Sequence, residues 1–477
     1  MSHPNDSNEL QVTVQSINSE DRIDYQFYDP KYFETIKSLE KISQDQKIEL
    51  TLLKHLLFDS KHGITGGATP LGAAYLTEGI PFIRVQNVRR EGLDLSDVVF
   101  IARQIHEGEL KRSQLLPKDV LLTITGVTYG IAGIVPESLE VANINQHVVR
   151  IRVNQREVVP EYLALYLNSK YGRAQTDRNV TGGSRPALDY TCIKKLLILK
   201  PKLSIQEEIV KETQKVQQEA DTIRKQIERL ELAYDETILG KFAFCLPDEP
   251  KIKFFLSQVD EQDRLEVKWF YPFYDELISR IRRRGNSRQI ADYNHELRYG
   301  ASLYADYVSD TPFLRIENLK RNYLDLSDLQ FVPNSVYRNE INNLYLQKDD
   351  ILIGRSGSVG LCAYVKEDLE SYVYGSYIIR LRIADSRMLP EYLSVYLNSI
   401  LGRLQFEKQK TGSSQFNINI GQIRDLWIIE PEKNVQEEIA RNLFGLVEKV
   451  NTLKILYKQK LLQAEDLFMH LLKGKKH

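Results

Sequence analysis

Apolar residues recur at helical spacing in two long stretches of the chain. From Ile205 to Ile238 they stand three, four or seven positions apart, with Lys, Glu, Gln and Arg between them, and Val435 to Leu467 repeats the pattern. This period is that of one apolar face on an α-helix. A helix of about 35 to 40 residues is 50 to 60 Å long at 1.5 Å per residue. Each predicted helix is therefore too long to be the ordinary side of one domain.

Strand patterns occupy the middle of each half of the chain. β-Branched runs alternate with glycine turns over Asp119–Val135 and Asp350–Val365, and this arrangement predicts β-hairpins. Shorter helices are predicted over Pro160–Gln175 and Pro390–Gln405. Each begins with proline, which the first turn of a helix tolerates because no intrahelical bond needs its N–H.

Every predicted element occurs twice because the sequence repeats after about 230 residues. Of the sixteen residues from Pro160 to Gln175, eleven recur in Pro390–Gln405. A period of this length indicates a duplicated domain and not a solenoid unit. We therefore expect a separate core in each copy and a pseudo-two-fold arrangement of the pair.

The predicted fold class is mixed α/β, of the α+β kind, with two tandem homologous domains that are each followed by a long helix. We expect the two helices to pack as an antiparallel coiled coil, because equivalent elements of a pseudo-two-fold pair run in opposite directions. The alternative is that each apolar stripe packs on its own domain. The predicted segments are a flexible N-terminal lead (1–21), a first domain (22–200), a central helix (201–241), a linker (242–263), a second domain (264–431) and a C-terminal helix (432–477).

The composition is that of a large globular protein. With 477 residues, 42% of them hydrophobic and 27% charged, the chain is long enough for two cores. Three isolated cysteines predict neither a metal site nor a disulfide framework. Without a signal core or an 18-residue apolar run, we expect a cytoplasmic protein with no membrane contact. The net charge of −1 argues against a chain that grips nucleic acid alone through phosphates.

Motifs for catalysis are missing from the sequence. It has no phosphate-binding loop, no glycine fingerprint for a dinucleotide or S-adenosylmethionine, and no Asn/Asp-Pro-Pro-aromatic tetrapeptide for a flipped base. His147 is the histidine most tempting as a catalyst. Its counterpart in the second copy is Tyr377, so a polar binding or core position is the favoured interpretation. The chain is therefore predicted to be non-catalytic and to bind no metal.

Three polar loops keep their frame in both copies while their residues differ. Small hydroxyl, amide and arginine side chains at strand ends are the groups that reach base edges and phosphates. A Gly/Ser/Thr cluster is, alternatively, just a turn. The loops are Thr123–Gly130, Asn143–His147 and Arg178–Arg185 in the first copy, and Gly354–Gly360, Tyr372–Tyr377 and Lys408–Gln415 in the second.

Together these features resemble the specificity subunit of type I restriction-modification systems. Both copies contain Pro-Phe-Ile/Leu-Arg-x-x-Asn, Leu-Asp-Leu-Ser-Asp, a glycine hairpin and Pro-Glu-Tyr-Leu followed by Tyr-Leu-Asn-Ser. Both also contain Gln-Glu-Glu-Ile before the long helix. The resemblance covers about residues 22–475, which is nearly the whole chain.

The resemblance implies a subunit that recognises DNA and does no chemistry itself. Each domain would read one half of a bipartite, asymmetric motif in double-stranded DNA. The helices would determine the length of the unspecified gap between the two halves of the DNA motif. They would also bind two methyltransferase subunits, and restriction subunits would join this complex. S-Adenosylmethionine, ATP and Mg²⁺ would be bound by those partners and not by this chain. Phosphate neutralisation by the partners would also explain the near-neutral charge.

The residues expected to contact DNA belong to the three loops of each copy. They are Thr123, Thr125, Thr128, Tyr129, Asn143, Asn145, Gln146, His147, Arg178, Asn179, Thr181, Ser184 and Arg185 in the first copy, and Arg355, Ser356, Ser358, Tyr374, Ser376, Tyr377, Lys408, Lys410, Thr411, Ser413, Ser414 and Gln415 in the second.

Other basic and amide residues have two interpretations. Arg84, Asn87, Arg315 and Asn318 lie in the repeated frame, where holding the loops is favoured over contacting phosphates. The run Arg280–Arg284 has no basic counterpart in the first copy and is either a phosphate or partner contact or a solvated helix face.

Three other functions remain open at this point. A self-sufficient methyltransferase or nuclease would need a cofactor fingerprint. A scaffold that binds two proteins would need no DNA-reading loops. A related methyltransferase-based phage-defence complex would use the same kind of specificity subunit.

Overall fold

The computed structural model describes residues 25–70, 75–182, 186–249, 267–412 and 415–474. The predicted N-terminal lead and residues 250–263 of the predicted linker lie outside this part of the chain, as do Ser184, Arg185, Ser413 and Ser414. Two units divide the described residues. Unit 1 comprises those up to Thr222 together with those from Tyr457 onward, and unit 2 runs from Ile223 to Leu456.

Unit 1 combines short strands with helices. Its strands are β1 (Glu49–Leu52), β2 (Ile64–Gly66), β3 (Ile80–Ile83), β4 (Val88–Arg89), β5 (Gly92–Leu93), β6 (Val99–Ile101), β7 (Val120–Thr123), β8 (Ala132–Ile134), β9 (Asn143–Ile144), β10 (Val148–Ile151) and β11 (Leu197–Lys200). Its helices are α1 (Pro30–Gln46), α2 (Arg103–Glu107), α3 (Pro160–Asn168), α4 (Lys170–Asn179), α5 (Tyr190–Lys194) and the first part of α6 (Leu203–Lys241).

Unit 2 repeats this order of elements. Its strands are β12 (Ser287–Gln289), β13 (His295–Tyr299), β14 (Thr311–Leu314), β15 (Leu319–Lys320), β16 (Tyr323–Leu324), β17 (Gln330–Val332), β18 (Ile351–Gly354), β19 (Cys362–Tyr364), β20 (Val373–Tyr374), β21 (Ile378–Ile383) and β22 (Trp427–Ile429). Its helices are α7 (Pro272–Arg282), α8 (Asn334–Ile341), α9 (Pro390–Leu397), α10 (Ile400–Gln409), α11 (Ile420–Arg424) and the first part of α12 (Lys433–Leu472).

The sheets of the two units share one topology. An antiparallel four-stranded sheet has the order β2-β10-β7-β8 in unit 1 and β13-β21-β18-β19 in unit 2. A three-stranded sheet has the order β6-β3-β9 or β17-β14-β20, with one antiparallel and one parallel pair. The predicted hairpins are the pairs β7–β8 and β18–β19. The mixed α/β class and the duplication are therefore confirmed by strand order.

The glutamine of the repeated Gln-Glu-Glu-Ile motif is a structural residue. Gln206 accepts a hydrogen bond from the backbone N–H of Val159 at 2.8 Å, just before α3, and donates to the carbonyl of Pro201 at 2.8 Å. Gln436 makes the same two kinds of bond in unit 2. Each side chain therefore ties the residues that precede a long helix to the residue that precedes a shorter one.

The two long helices close the hydrophobic cores. In unit 1 the ring of Phe468, near the end of α12, lies 6.0 Å from the Tyr162 ring and 6.5 Å from the Tyr166 ring. In unit 2 the buried Tyr234 and Ile238, near the end of α6, belong to the core. Each core thus contains a helix end from the other sequence repeat. From the sequence we considered packing of the helices on each other or on their own domains, but not this arrangement.

Ion pairs join the two long helices inside each unit. In unit 2, Lys241 contacts Glu438 at 2.6 Å and Lys454 contacts Glu231 at 2.7 Å, an order that makes these segments antiparallel. In unit 1, Lys460 pairs with Glu219 at 2.7 Å. Coiled-coil packing stays a prediction.

No helix in the described ranges is both long enough and apolar enough to cross a membrane.

A buried carboxylate holds the central hairpin of each unit. Asp350 has no solvent exposure and receives two hydrogen bonds from Arg382, at 2.6 and 2.8 Å, and one from the backbone N–H of Gln347 at 2.8 Å. Asp119 and Arg152 form the same bidentate pair in unit 1, with both distances 2.7 Å. The planar guanidinium matches both carboxylate oxygens.

Replacing this carboxylate should destabilise the fold. We expect Asp350→Asn to cost about 3 kcal/mol, the lower part of the range for breaking a buried pair, because Arg382 keeps some access to water. Urea denaturation of the full-length chain measures the change. Glu448→Gln is the matched control: it makes the same acid-to-amide change in the exposed Lys366–Glu448 pair and should leave the midpoint unchanged. Equal midpoints for the two variants would contradict the assignment.

Candidate nucleic-acid interface

The polar loops of unit 1 converge beside the ends of β7 and β10. The backbone N–H of Ile124 donates to the carbonyl of His147 at 3.0 Å, and the N–H of Gly126 donates to the carbonyl of Pro186 at 3.1 Å. The N–H of Leu188 in turn donates to the carbonyl of Ile124 at 2.9 Å. We call the described residues of Thr123–Gly130, Asn143–His147 and 178–188 loop cluster 1.

Accessible polar side chains of loop cluster 1 are hydrogen-bonded to one another. The Thr125 hydroxyl is hydrogen-bonded to Nδ1 of His147 at 2.6 Å, and Nε2 of the same ring lies 3.1 Å from Nε2 of Gln146. The carbonyl oxygen of the Gln146 side chain also accepts a hydrogen bond from the Thr69 hydroxyl. Gln146 itself is exposed. Its carbonyl keeps a second lone pair and its amide nitrogen a second N–H.

Loop cluster 2 consists of the described residues of Gly354–Gly360, Tyr372–Tyr377 and 408–418, and it has the same frame. The backbone N–H of Arg355 donates to the carbonyl of Tyr377 at 2.8 Å, and the N–H of Ile418 donates to the carbonyl of Arg355 at 3.0 Å. The side-chain amide of Gln415 donates to the Ser356 hydroxyl at 3.0 Å. The repeated frame thus brings all three predicted loops together in both units.

Arg355 is held at the centre of loop cluster 2 by an aromatic ring. Its guanidinium carbon lies 4.9 Å from the centroid of the Tyr299 ring, and one terminal nitrogen donates to the carbonyl of Ser376 at 3.2 Å. That bond uses one of the five N–H donors of a guanidinium. Tyr377 of the same cluster is 53% exposed and Tyr304 is 78% exposed. Loop cluster 2 and the segment beside it thus present accessible aromatic rings and a cation with donors to spare.

A further segment of each unit, around Gly67 in unit 1 and Gly300 in unit 2, lies against the loop cluster. This contact was not predicted from the sequence. A Cβ on Gly67 would lie 2.0 Å from the carbonyl oxygen of Ile144, and a Cβ on Gly300 would lie 2.2 Å from that of Gly375. Only glycine allows the backbone to run this close to the second loop. In unit 2 this segment supplies Tyr299 and Tyr304. The occurrence of these two tyrosines and the glycine within one short stretch is the feature of the sequence that could have indicated this segment.

Six of the predicted DNA-contacting residues are buried. Thr123 donates to the carbonyl of Thr128 at 2.5 Å, and Asn143 donates to the carbonyl of Leu110 at 3.0 Å. Their side chains therefore hold the loops from inside. The buried residues are Thr123, Asn143, Asn145, Ser356, Tyr374 and Lys408.

Two of the predicted basic residues bind the aromatic segments that open each copy. Arg178 donates to the carbonyl of Phe27 at 3.1 Å, and its guanidinium carbon lies 4.1 Å from the centroid of that ring. Lys408 donates to the carbonyl of Trp269 at 3.0 Å and pairs with Asp275. Packing between loop and opening segment accounts for both cations.

The other predicted residues that the structure describes are at least partly accessible. Burial raises the pKa of the Tyr129 hydroxyl, so this group stays a neutral donor, and Lys410 pairs with Glu407 at 2.7 Å. The accessible set is Thr125, Thr128, Tyr129, Gln146, His147, Arg178, Asn179, Thr181, Arg355, Ser358, Ser376, Tyr377, Lys410, Thr411 and Gln415.

The arginines of the repeated frame and of the basic run make contacts within the protein. Arg84 donates to the carbonyl of Asp97 at 2.9 Å, and Arg315 reaches Asp328 at 3.4 Å. Both partners belong to the repeated Leu-Asp-Leu-Ser-Asp segment and not to the three polar loops, so the loop-holding role stays a prediction. In the basic run, Arg280 donates to the carbonyl of Cys245 at 3.1 Å, and Arg284 donates to the carbonyl of Phe242. Neither interpretation of the run included these bonds.

Among the described residues, no cluster of three or more His, Cys, Asp or Glu could hold a metal.

Two copies of one mixed α/β domain, each with its own polar loop cluster on a common frame, define a duplicated protein with two non-identical surfaces. The chain belongs to the family of type I restriction modification DNA specificity domains, whose model matches residues 64–232 and 302–462. The resemblance seen in the sequence is therefore confirmed.

Individual proteins are similar to this chain over part or most of its length. The type I restriction enzyme EcoBI specificity subunit of Escherichia coli is 30% identical over 152 residues, which cover 32% of this chain and only 31% of that subunit. The EcoKI specificity subunit of Escherichia coli strain K12 is 21% identical over 415 residues, covering 82% of this chain and 81% of that one. The S subunit from M. genitalium, a solved structure, covers 89% of this chain and 96% of its own at 12% identity and a TM-score of 0.47.

The close approach at Gly300 generates a stability prediction. We expect Gly300→Ala to destabilise the full-length chain by about 1–3 kcal/mol, because the added methyl group overlaps backbone that has no room to move. Gly445→Ala, in α12 with nothing within 4 Å of the added Cβ, is the control and should stabilise the chain by up to about 1 kcal/mol. Urea denaturation compares them, and a Gly300→Ala chain as stable as the wild type would refute the contact.

Proposed function

We propose that this chain is the DNA-specificity subunit of a type I restriction-modification complex. Its two loop clusters read the two halves of a bipartite, asymmetric motif in double-stranded DNA. The chain performs no catalysis. It docks two methyltransferase subunits and the restriction subunits, and the complex is cytoplasmic. One observation carries this proposal: the two loop clusters share a backbone frame but present different side chains.

The side chains of the clusters fit base readout. Arginine pairs with O6 and N7 of guanine through two donors, and glutamine pairs with N6 and N7 of adenine. Arg355 has unused donors and is braced by Tyr299. Gln146 is exposed and braced by Thr69 and His147. Braced side chains lose less conformational entropy on binding than free ones.

The near-neutral charge of the chain fits a division of labour. Phosphate contacts supply most of the salt-dependent affinity for DNA, whereas base contacts supply specificity. A chain with a net charge of −1 is suited to the second task. In this proposal the methyltransferase subunits provide the cationic surface and bind S-adenosylmethionine, while ATP and Mg²⁺ belong to the restriction subunits.

The predicted segments 22–200 and 264–431 are assigned as the target-recognition domains, and the long helices as the platform for the methyltransferase subunits. This assignment is supported by the position of the loop clusters, which both belong to the globular parts of the units. For the N-terminal lead (1–21) and the linker (242–263) we propose the boundaries predicted from the sequence.

A selection experiment tests the proposal against its rivals. The complex of this chain with its methyltransferase partner is incubated with random double-stranded DNA, and the bound pool is sequenced. We expect enrichment of one motif with two specified halves and an unspecified gap. A pool without any motif would favour the protein scaffold that binds no DNA, and a single undivided motif would contradict two separate reading surfaces.

Point variants should separate the two halves of the motif. We expect Arg355→Ala to lose about 1–3 kcal/mol of discrimination at one guanine in one half, and Gln146→Ala to relax the other half only. Each variant controls for the other. Arg338→Ala in α8 removes an exposed charge that belongs to neither cluster and should leave the motif intact. A loss of affinity that is uniform across sequences would make Arg355 a phosphate contact.

Calorimetric titration with S-adenosylmethionine tests whether the chain lacks a cofactor site. We expect the isolated chain to give no heat of binding when titrated with S-adenosylmethionine, because its sequence has no fingerprint for this cofactor. The methyltransferase partner, titrated under the same conditions, serves as the positive control. Saturable binding to the isolated chain would show that it carries a cofactor site of its own.

A further inference from the structure

A cavity in unit 1 lies where the sequence repeat places a tyrosine in unit 2. It has a volume of about 250 Å³ and is bounded by the end of α12, the start of α6, α3 and the β4–β5 turn. Ala464, Phe468 and Leu165 are among its walls. The offset of 230 residues that relates Gln206 to Gln436 relates Tyr234 to Ala464. Unit 1 therefore has a methyl group where unit 2 has a phenol.

Unit 2 shows how this position accommodates the phenol. Tyr234 is 2% exposed; its hydroxyl donates to the carbonyl of Val395 at 2.9 Å and accepts from the side-chain amide of Asn322 at 2.8 Å. The guanidinium carbon of Arg321 lies 3.8 Å from the ring centroid. A carbonyl acceptor, a stacked guanidinium and apolar walls thus surround one aromatic ring.

Unit 1 keeps these parts although it lacks the tyrosine. Leu165 corresponds to Val395 by the same offset of 230, and it lines the cavity. Arg90 corresponds to Arg321 by the offset of 231 that relates Arg84 to Arg315, and it also lines the cavity.

Thr213 adds a polar group that unit 2 does not have. Its side chain is 1% exposed and lines the cavity, and its hydroxyl has no hydrogen-bond partner within the described part of the chain. The counterpart in unit 2 is the fully buried Leu443. A buried hydroxyl without a partner is unfavourable, so a ligand hydroxyl that reaches Thr213 would remove this penalty.

The rim and the size of the cavity indicate the kind of occupant. Arg90 and Lys458 line it together with Glu91 and Glu465, so positive and negative charges balance and no anionic ligand is favoured. An engineered cavity of about 150 Å³ accepts benzene, and this one is larger. Tyrosine is enriched among the residues that anchor protein interfaces in apolar pockets with a polar surround.

We propose that this cavity is a binding site for one phenolic ring, and that in the assembled complex the ring is a tyrosine side chain of the methyltransferase subunit. The ring takes the place that Tyr234 occupies in unit 2, with its hydroxyl hydrogen-bonded to Thr213 and its face against Arg90. The choice of this partner rests on the proposed function; the phenol site itself does not.

The first experiment uses p-cresol, the side chain of tyrosine as a free molecule, and the full-length chain. We expect saturable binding with a dissociation constant on the order of 1 mM, observed by calorimetry or ligand-detected NMR. Ala464→Tyr should abolish it by filling the cavity from within, whereas Ala464→Ser, which barely changes the volume, should retain it. No binding to the wild-type chain, or equal binding to the Ala464→Tyr chain, would overturn the site.

Two further variants keep the test decisive if tyrosine at position 464 impairs folding. Ala464→Met fills part of the same space with a flexible side chain and should weaken p-cresol binding at least tenfold. Thr213→Val preserves the shape of the side chain but removes the hydroxyl. It should weaken p-cresol about three- to tenfold while leaving toluene binding unchanged, and equal losses for both ligands would refute the role of the hydroxyl.

A second experiment tests the source of the ring. Assembly with the methyltransferase subunit is titrated for the wild-type, Ala464→Ser and Ala464→Tyr chains. We expect only Ala464→Tyr to weaken assembly. If it blocks p-cresol yet assembles like the wild type, the occupant is not a tyrosine of this partner. A wild-type chain that fails to assemble would overturn the proposed function, while the p-cresol measurements would still decide the phenol site.

Discussion

Closure of each hydrophobic core by a distant helix is the interaction on which the rest of the structure depends. The aromatic rings of α3 in unit 1 are covered by Phe468, from the last turns of α12. In unit 2 the end of α6 performs this task through Tyr234 and Ile238. A domain of this size gains most of its stability from such apolar burial. Neither unit completes its core from one sequence repeat alone, because each needs the helix end of the other repeat.

A closed core with buried polar ties lets the loop clusters vary. Asp119 and Asp350 fix the central hairpins through paired arginines. Gly67 and Gly300 let a second stretch of backbone brace the middle loop. The frame is therefore held by residues that repeat in both units, while most of the residues that project from it differ between the units. Because different residues hold the frame and form the exposed loop surface, one fold can present two different chemical surfaces.

Local patterns explain why so much of the fold could be predicted from the sequence. Helical period, glycine turns and the 230-residue repeat are each visible within short windows or by direct alignment. The contacts of Arg178 were not predictable in this way, because its partner Phe27 lies 151 positions earlier. The same reason applies to Lys408 and Trp269. Their positive charge indicated a DNA contact, whereas their packing is decided by tertiary structure that no local period encodes.

The exchange of helix ends also determines when the protein can fold during its synthesis. A ribosome releases the N-terminal part of a chain first, and domains generally fold as they emerge. Here unit 1 takes its final apolar wall from the segment that begins at Tyr457, so its core stays open until that segment has been made. Unit 2, which ends at Leu456, has all of its residues earlier. The half that is translated first is thus the last to be completed, and an interrupted translation product would leave Tyr162 and Tyr166 uncovered.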